Sequence, residues 1–200
     1  MKKIALTLLL GALTLTSYAQ DKSLKIGVKG GLNISDAING SDTSTLTGFH
    51  FGGVAEIFLG SKFSIQPEIL YSAQGSKNKL SQIKGKEDVK DVKANFDYIN
   101  IPVMAKIYLL DGLNVSVGPQ VGFNVKSKIG GEDFKSLTNT VDFSANVGAG
   151  YETSFGLFLD ARYNIGLNKV MKNAANNDPI TQDLVDMKNG VFQFSVGLKF

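Results

Sequence analysis

Eight separate stretches of this chain alternate apolar and polar residues with a period of two, and a chain that repeats this pattern buries its apolar faces by building β-sheet. The first stretch, Leu24 to Ile34, sets Leu24, Ile26, Val28, Leu32 and Ile34 against Lys25, Gly27, Lys29, Gly31 and Asn33. The others are Gly48 to Leu59, Phe63 to Gln74, Phe96 to Leu109, Leu113 to Lys126, Val141 to Phe155, Leu157 to Leu167 and Gly190 to Phe200. The last reads GVFQFSVGLKF and puts Phe192, Phe194, Val196, Leu198 and Phe200 on one parity.

The connections sort into two kinds. Short turns at Gly60-Ser61-Lys62, at Asp111-Gly112 and around Gly156 join stretches two to three, four to five and six to seven. Long polar segments, Ser35 to Thr47, Gly75 to Asn95, Ser127 to Thr140 and Asn168 to Asn189, join the rest. Strict alternation of short and long connections over an even number of strands predicts an all-β, eight-stranded antiparallel up-and-down transmembrane β-barrel, with short turns in the periplasm and long loops outside.

A soluble eight-stranded barrel is the competing fold, and the polar parity separates the two. Soluble barrels keep an apolar lumen and expose charged residues. Here the polar parity is crowded with Gly27, Gly31, Gly52, Ser64, Ser72, Ser116, Gly118, Gly122, Ser144, Gly148, Gly150, Gly166, Ser195 and Gly197, small residues suited to a narrow filled lumen. The apolar parity carries almost no charge at mid-strand, as expected where a charge facing lipid costs roughly 2 to 4 kcal/mol. Pro67, Pro102 and Pro119 fall inside predicted strands, where each removes a ladder donor. Bulges or strand ends are therefore expected there, first of all at Pro102, because the apolar parity shifts between Tyr98 and Ile99.

The N-terminus fits export. Lys2 and Lys3 precede an apolar run from Ile4 to Leu15, and Ser17-Tyr18-Ala19 supplies small residues three and one before the next bond, so residues 1–19 are expected to be a cleaved signal peptide. That run is shorter than the ~20 residues of a membrane-spanning helix. The expected mature domain, 20–200, carries 19 basic and 18 acidic residues once Lys2 and Lys3 are removed, so it has no basic field for nucleic acid. With no cysteine, it has neither disulfides nor a thiolate zinc site.

Lumen-facing charges are the main candidate constellation: Lys25, Lys29, Glu56, Glu68, Lys106, Asp142, Glu152, Asp160, Arg162 and Lys199. With both signs in a space just wide enough for side chains, a mutually neutralising structural plug is expected, and a narrow ion path is the alternative. Catalysis is not expected. The lone histidine, His50, is placed near the outer rim with no nucleophile or orienting group at a recognisable spacing. Gly30-Gly31 and Gly52-Gly53 precede no helix and so form no phosphate cradle. Asn176, Asn177 and Asp178 lack the spaced carboxylates of a calcium loop, so neither metal nor cofactor is expected. The lysine-rich segment Lys77 to Lys93 reads as a solvated loop whose basic excess favours lipopolysaccharide headgroups. Phe49, Phe63, Tyr71, Tyr151, Phe155, Tyr163 and Phe200 fit aromatic girdles at the two interfaces.

Taken in order, the leader ending Ala19-Gln20 and the phrases IGVKGGLNIS, YINIPVMAKIYL, GPQVGFNV, DFSANVGAGYE, LDARYNIGL and the terminal Phe200 resemble the small outer-membrane β-barrels of Bacteroidetes, the PorT-like or porin-family group. The resemblance implies an eight-stranded barrel similar to OmpX or the membrane domain of OmpA, in the Gram-negative outer membrane. It also implies insertion by the barrel-assembly machinery, which recognises a terminal aromatic, so Phe200 is the expected assembly signal. It implies no single function. The expected role is structural or binding, through long loops that meet an extracellular ligand or envelope protein; a narrow porin-like channel and an accessory of protein secretion are the alternatives. Deleting Phe200 is expected to lower the yield of membrane-inserted barrel in cells, read as the fraction showing heat-modifiable gel mobility.

Overall fold

The computed structural model describes residues 24–38, 43–78, 92–129, 132–133, 139–168 and 188–200. The expected leader at 1–19 lies outside them, as do 79–91 of the lysine-rich loop and Asn176 to Asp178. The described strands are β1 (Leu24–Ile38), β2 (Thr43–Phe58), β3 (Phe63–Asn78), β4 (Val92–Tyr108), β5 (Leu113–Ile129), the two-residue β6 (Glu132–Asp133), β7 (Val141–Glu152), β8 (Leu157–Gly166) and β9 (Lys188–Lys199).

Every neighbouring pair is antiparallel, in the order β4-β3-β2-β1-β9-β8-β7-β5, and β4 pairs with β5 to close the ring. Eight strands form the barrel; β6 merely extends β5 through Lys128 and Ile129. First and last strands meet from Gly27 opposite Lys199 to Ile38 opposite Lys188, which leaves no free edge among the eight. The three short turns share one closure, in which Leu59, Leu109 and Thr153 each donate N–H to the carbonyl four residues on. Gly112 and Gly156 occupy left-handed conformations, φ 80° and 90°, as the last residues of two of these reversals.

The alternating parity maps onto the two faces. Val28, Leu32, Phe51, Ile69, Val117, Val147, Leu159 and Phe194 are exposed on the outside, at half or more of their full surface. Their neighbours Lys29, Asn33, Glu68, Ser116, Asn146 and Arg162 are buried in the lumen. An apolar belt outside and a polar interior suit a sheet whose outer solvent is hydrocarbon.

Several strands run further than the alternation indicates. β1 continues to Ile38 and β2 begins at Thr43, so most of the expected Ser35-to-Thr47 loop is ladder and the connection is residues 39–42. β3, β4 and β5 likewise extend to Asn78, from Val92 and to Ile129. Hydropathy stops alternating once a strand leaves the apolar layer, whereas hydrogen bonding continues.

The prolines correct an expectation. Register is the same on both sides of Pro67, Pro102 and Pro119, and none carries a bulge. Each instead leaves two positions unpaired on one flank: Ala55 and Glu56 beside Pro67, Glu68 and Ile69 beside Pro102, Val103 and Met104 beside Pro119. The irregularities lie elsewhere, between Thr45 and His50 on β2 and between Asp97 and Tyr98 on β4. At the second, Asp97 faces Lys126 and Tyr98 faces Asn124, so Val125 is the extra residue. The parity shift near Tyr98 is therefore absorbed by β5.

Lumen glycines save more than volume. A Cβ on Gly31 would overlap the Phe194 carbonyl oxygen of β9, because the two backbones approach closely where β1 coils against it. Gly31→Ala is expected to cost about 1–3 kcal/mol of unfolding free energy, measured by urea titration of the barrel refolded in lipid vesicles. Gly30→Ala, which meets nothing closer than 3.5 Å, is the matched control.

Candidate functional site

The lumen is organised in layers, each built from every second strand as inward-pointing residues of small barrels are. The layer nearest the short turns is a closed ring. Lys199 of β9 ion-pairs with Glu56 of β2 and, at 2.6 Å, with Glu152 of β7. Tyr108 of β4 completes the circuit, its hydroxyl 2.7 Å from Glu56 and 3.1 Å from Glu152. Lys106 pairs with Glu56 at 3.2 Å and Lys25 with Glu152 at 2.6 Å. Ser64 donates a further hydrogen bond to Glu56. Phe158 lies beneath the Lys199 ammonium, its ring centre 4.6 Å away.

One layer further in, Glu68 of β3 accepts both arms of Arg162 of β8, at 2.9 and 3.1 Å. Three strands separate β3 from β8 in either direction round the ring, so this bidentate pair spans the full diameter. Lys29 joins from β1, 2.9 Å from Glu68 and 3.8 Å from Asp160, and Asp160 lies 3.3 Å from Arg162 Nε. Gln66 links the layers, its amide donating to Glu68 at 2.7 Å and its oxygen accepting from Lys106 at 3.2 Å. Arg162, Glu68 and Glu56 are all at or below 2% exposed. Charges this dry are tolerable only when paired and hydrogen-bonded.

Nine of the ten lumen charges named from sequence thus enter two adjoining clusters. Asp142 does not: it is the second residue of β7, above both layers, half-buried, and has no ion pair among the described residues. Tyr108 and Gln66 stand outside that constellation, and from the sequence Ser64 reads only as a small lumen residue. All three lie on the polar parity, so parity rather than residue type was the signal available.

His50 is another correction. It is 1% exposed inside the lumen rather than at the rim. Its Nδ1 lies 2.8 Å from Asn33 Oδ1 and its Nε2 2.8 Å from Ser195 Oγ. Asn33 Oδ1 can only accept, which places the proton on Nδ1 and makes the serine hydroxyl the donor. Serine, histidine and asparagine therefore stand in the order of a hydrolytic triad. All three are nearly inaccessible, however, and the Asn33 amide is spent on Phe49, Ser72 and Ala73. The arrangement ties the four consecutive strands β3, β2, β1 and β9 together along one wall of the lumen.

At the short-turn end, a cavity of about 890 Å3 opens beneath the ring, lined among others by Lys25, Phe58, Lys62, Tyr108, Tyr151 and Glu152. Phe200, the expected assembly signal, is exposed on the outer face beside this mouth and pairs through its backbone with Ile26.

A family model described as the outer membrane protein beta-barrel domain matches residues 18–172. The chain belongs to this outer-membrane β-barrel family. Membership implies an outer-membrane location, with the short-turn mouth in the periplasm. Among solved structures, Neisserial surface protein A is similar to this barrel at 17% identity and a TM-score of 0.53, over 88% of this chain and 97% of that one. The Ail attachment invasion locus protein of Yersinia pestis (14% identity, TM-score 0.47, 89% and 99% covered) and OprG of Pseudomonas aeruginosa (12%, 0.48, 90% and 97%) are also similar. At these identities the likeness to Neisserial surface protein A shows the fold alone. No curated protein matches the chain.

Removing Arg162 from the diametric pair leaves Lys29 as the one cation facing both Glu68 and Asp160 among the described residues, so the buried cluster is left with an uncompensated negative charge. Arg162→Met is expected to lower the unfolding free energy of this outer-membrane barrel by about 3–5 kcal/mol. The double change with Glu68→Leu should recover most of that loss, as read by urea unfolding in vesicles.

Proposed function

We propose that this protein is a closed, non-conducting and non-enzymatic outer-membrane barrel that serves as a rigid support for its long outer connections. The observation that carries this reading is the Glu68–Arg162 bridge, which crosses the lumen at its full width above the Glu56–Lys199–Glu152–Tyr108 ring. Recognition then falls to the connections between β3 and β4, between β5 and β7 and between β8 and β9, since connecting segments held on a rigid scaffold are where binding concentrates. An extracellular ligand or another envelope protein is the partner, with lipopolysaccharide headgroups meeting the lysines between Lys77 and Lys93. The PorT-like, Bacteroidetes-type assignment is supported by the ordered phrases in the sequence, and an accessory role in protein secretion is an alternative to the binding role. Co-purification from native membranes tests that role through the partner captured.

A narrow channel is the second reading, favoured by one feature. Asn114 Oδ1, Ser116 Oγ and Asn124 Nδ2 on the β5 wall are buried without a hydrogen-bond partner among the described residues. A thread of ordered water along that wall would satisfy them. In planar bilayers the wild-type barrel is expected to show no stable single-channel steps. Discrete steps that Ser116→Phe abolishes would establish the channel instead.

A further inference from the structure

We propose that the cavity at the short-turn mouth binds a small monocarboxylate with a compact apolar body, a role independent of the loop-borne recognition above. The ring that roofs the cavity joins three ammonium groups, Lys25, Lys106 and Lys199, to two carboxylates, Glu56 and Glu152, and so carries one surplus positive charge. At the rim, Lys62 and Asp111 offset each other. One monoanion balances the site, whereas a phosphate dianion would place surplus negative charge beside Glu152.

The surplus is presented at Lys25. The Lys199 side chain is fully buried and that of Lys106 nearly so, at 6% exposed, but that of Lys25 is 39% exposed and lines the cavity. Its ion pair to Glu152 uses one of three ammonium donors, leaving two for a ligand carboxylate. Charged hydrogen bonds of this kind are the strong ones.

The walls specify the rest of the ligand. Phe58 and Tyr108 form a tilted aromatic pair, ring centres 5.7 Å apart, with Lys25 5.2 Å from the Phe58 centre. Leu109 and Leu110 add aliphatic surface on the turn, Leu110 with 71% of its surface exposed. Apolar Phe58, Leu109 and Leu110 share the lining with polar Ser61, Thr153 and Ser154, and this mixed wall at a volume of about 890 Å3 can hold a ligand by charge at one end and by apolar contact at the other.

The test uses the whole barrel in micelles, with N-acetyl-leucine as probe and N-acetyl-leucinamide and inorganic phosphate as comparisons. Binding is followed by amide NMR shifts at Gly112 and Glu152. N-acetyl-leucine should shift these resonances saturably, with the amide and phosphate each binding about tenfold more weakly or worse. Lys25→Gln should weaken N-acetyl-leucine by about tenfold. Leu110→Asp, on an exposed turn outside the ring, should weaken it several-fold by repulsion and covers the case in which the Lys25 variant fails to fold. Equal affinity for acid and amide, or an affinity that neither variant changes, overturns the site. Tighter binding of phosphate overturns its assignment to a monoanion.

Discussion

Two buried carboxylates, Glu56 and Glu152, clasped by three lysines and a tyrosine, are the interaction on which the rest of this barrel depends. Every charge except that of Lys25 has given up its water, and the neighbouring opposite charges restore what was lost. A closed ring does this where isolated pairs would not, because every carboxylate accepts from more than one donor. The ring is possible because β2, β4, β7 and β9 take alternate places in the barrel and project side chains to one level. The next level takes Lys29, Glu68 and Arg162 from β1, β3 and β8, while β5 contributes Ser116 and Gly118 in that part of the wall. Long charged chains on one side require short residues on the other, which is why glycine and serine crowd β5 and β7.

The two ends of the molecule therefore differ in kind. Toward the short turns, the ordered ion pairs give way to a shaped, partly apolar mouth with an exposed ammonium. Toward the long connections, neutral side chains predominate: His50, Asn33, Ser195 and Gln193 are linked by ordinary hydrogen bonds, and Asn164 bonds Ser144 and Asn146, while the charges there among the described residues are Asp142 and Asp97, the latter paired with Lys126. The ion-pair clusters are concentrated toward the short turns and the amides toward the long connections, so strength of tethering falls along the axis.

Much of this was legible in the chain. Period-two alternation located eight strands, and the small-residue face identified which parity lines the lumen, from which all nine charges of the clusters followed, with Asp142 as the one named charge outside them. Tyr108 escaped because an aromatic on the polar parity looks like filler until its hydroxyl is seen between two carboxylates. His50 was placed at a rim that does not exist there, since β1 and β2 continue as ladder through polar residues beyond it. Pro102 attracted a bulge in prediction because a lost donor and a parity shift lay close together. The shift belongs to Val125 on the partner strand, and no single-strand pattern reports which of two partners absorbs an extra residue.

The Glu68–Arg162 pair joins positions 94 residues apart, and Glu56 meets Lys199 across 143. Neither contact is available to a nascent half-barrel. Strands β2 and β3 must wait with their glutamates only partly compensated, Glu68 by Lys29 of β1 and Glu56 by Lys106 of β4, until β8 and β9 bring Arg162 and Lys199, and in hydrocarbon that wait is costly. The lumen can therefore dry only in the final act of assembly, so a partly wound sheet must keep its inner face wetted. Its interior chemistry makes closure the commitment step: until the last strand docks beside the first, the chain has every reason to remain open to water, and afterwards very little reason to reopen.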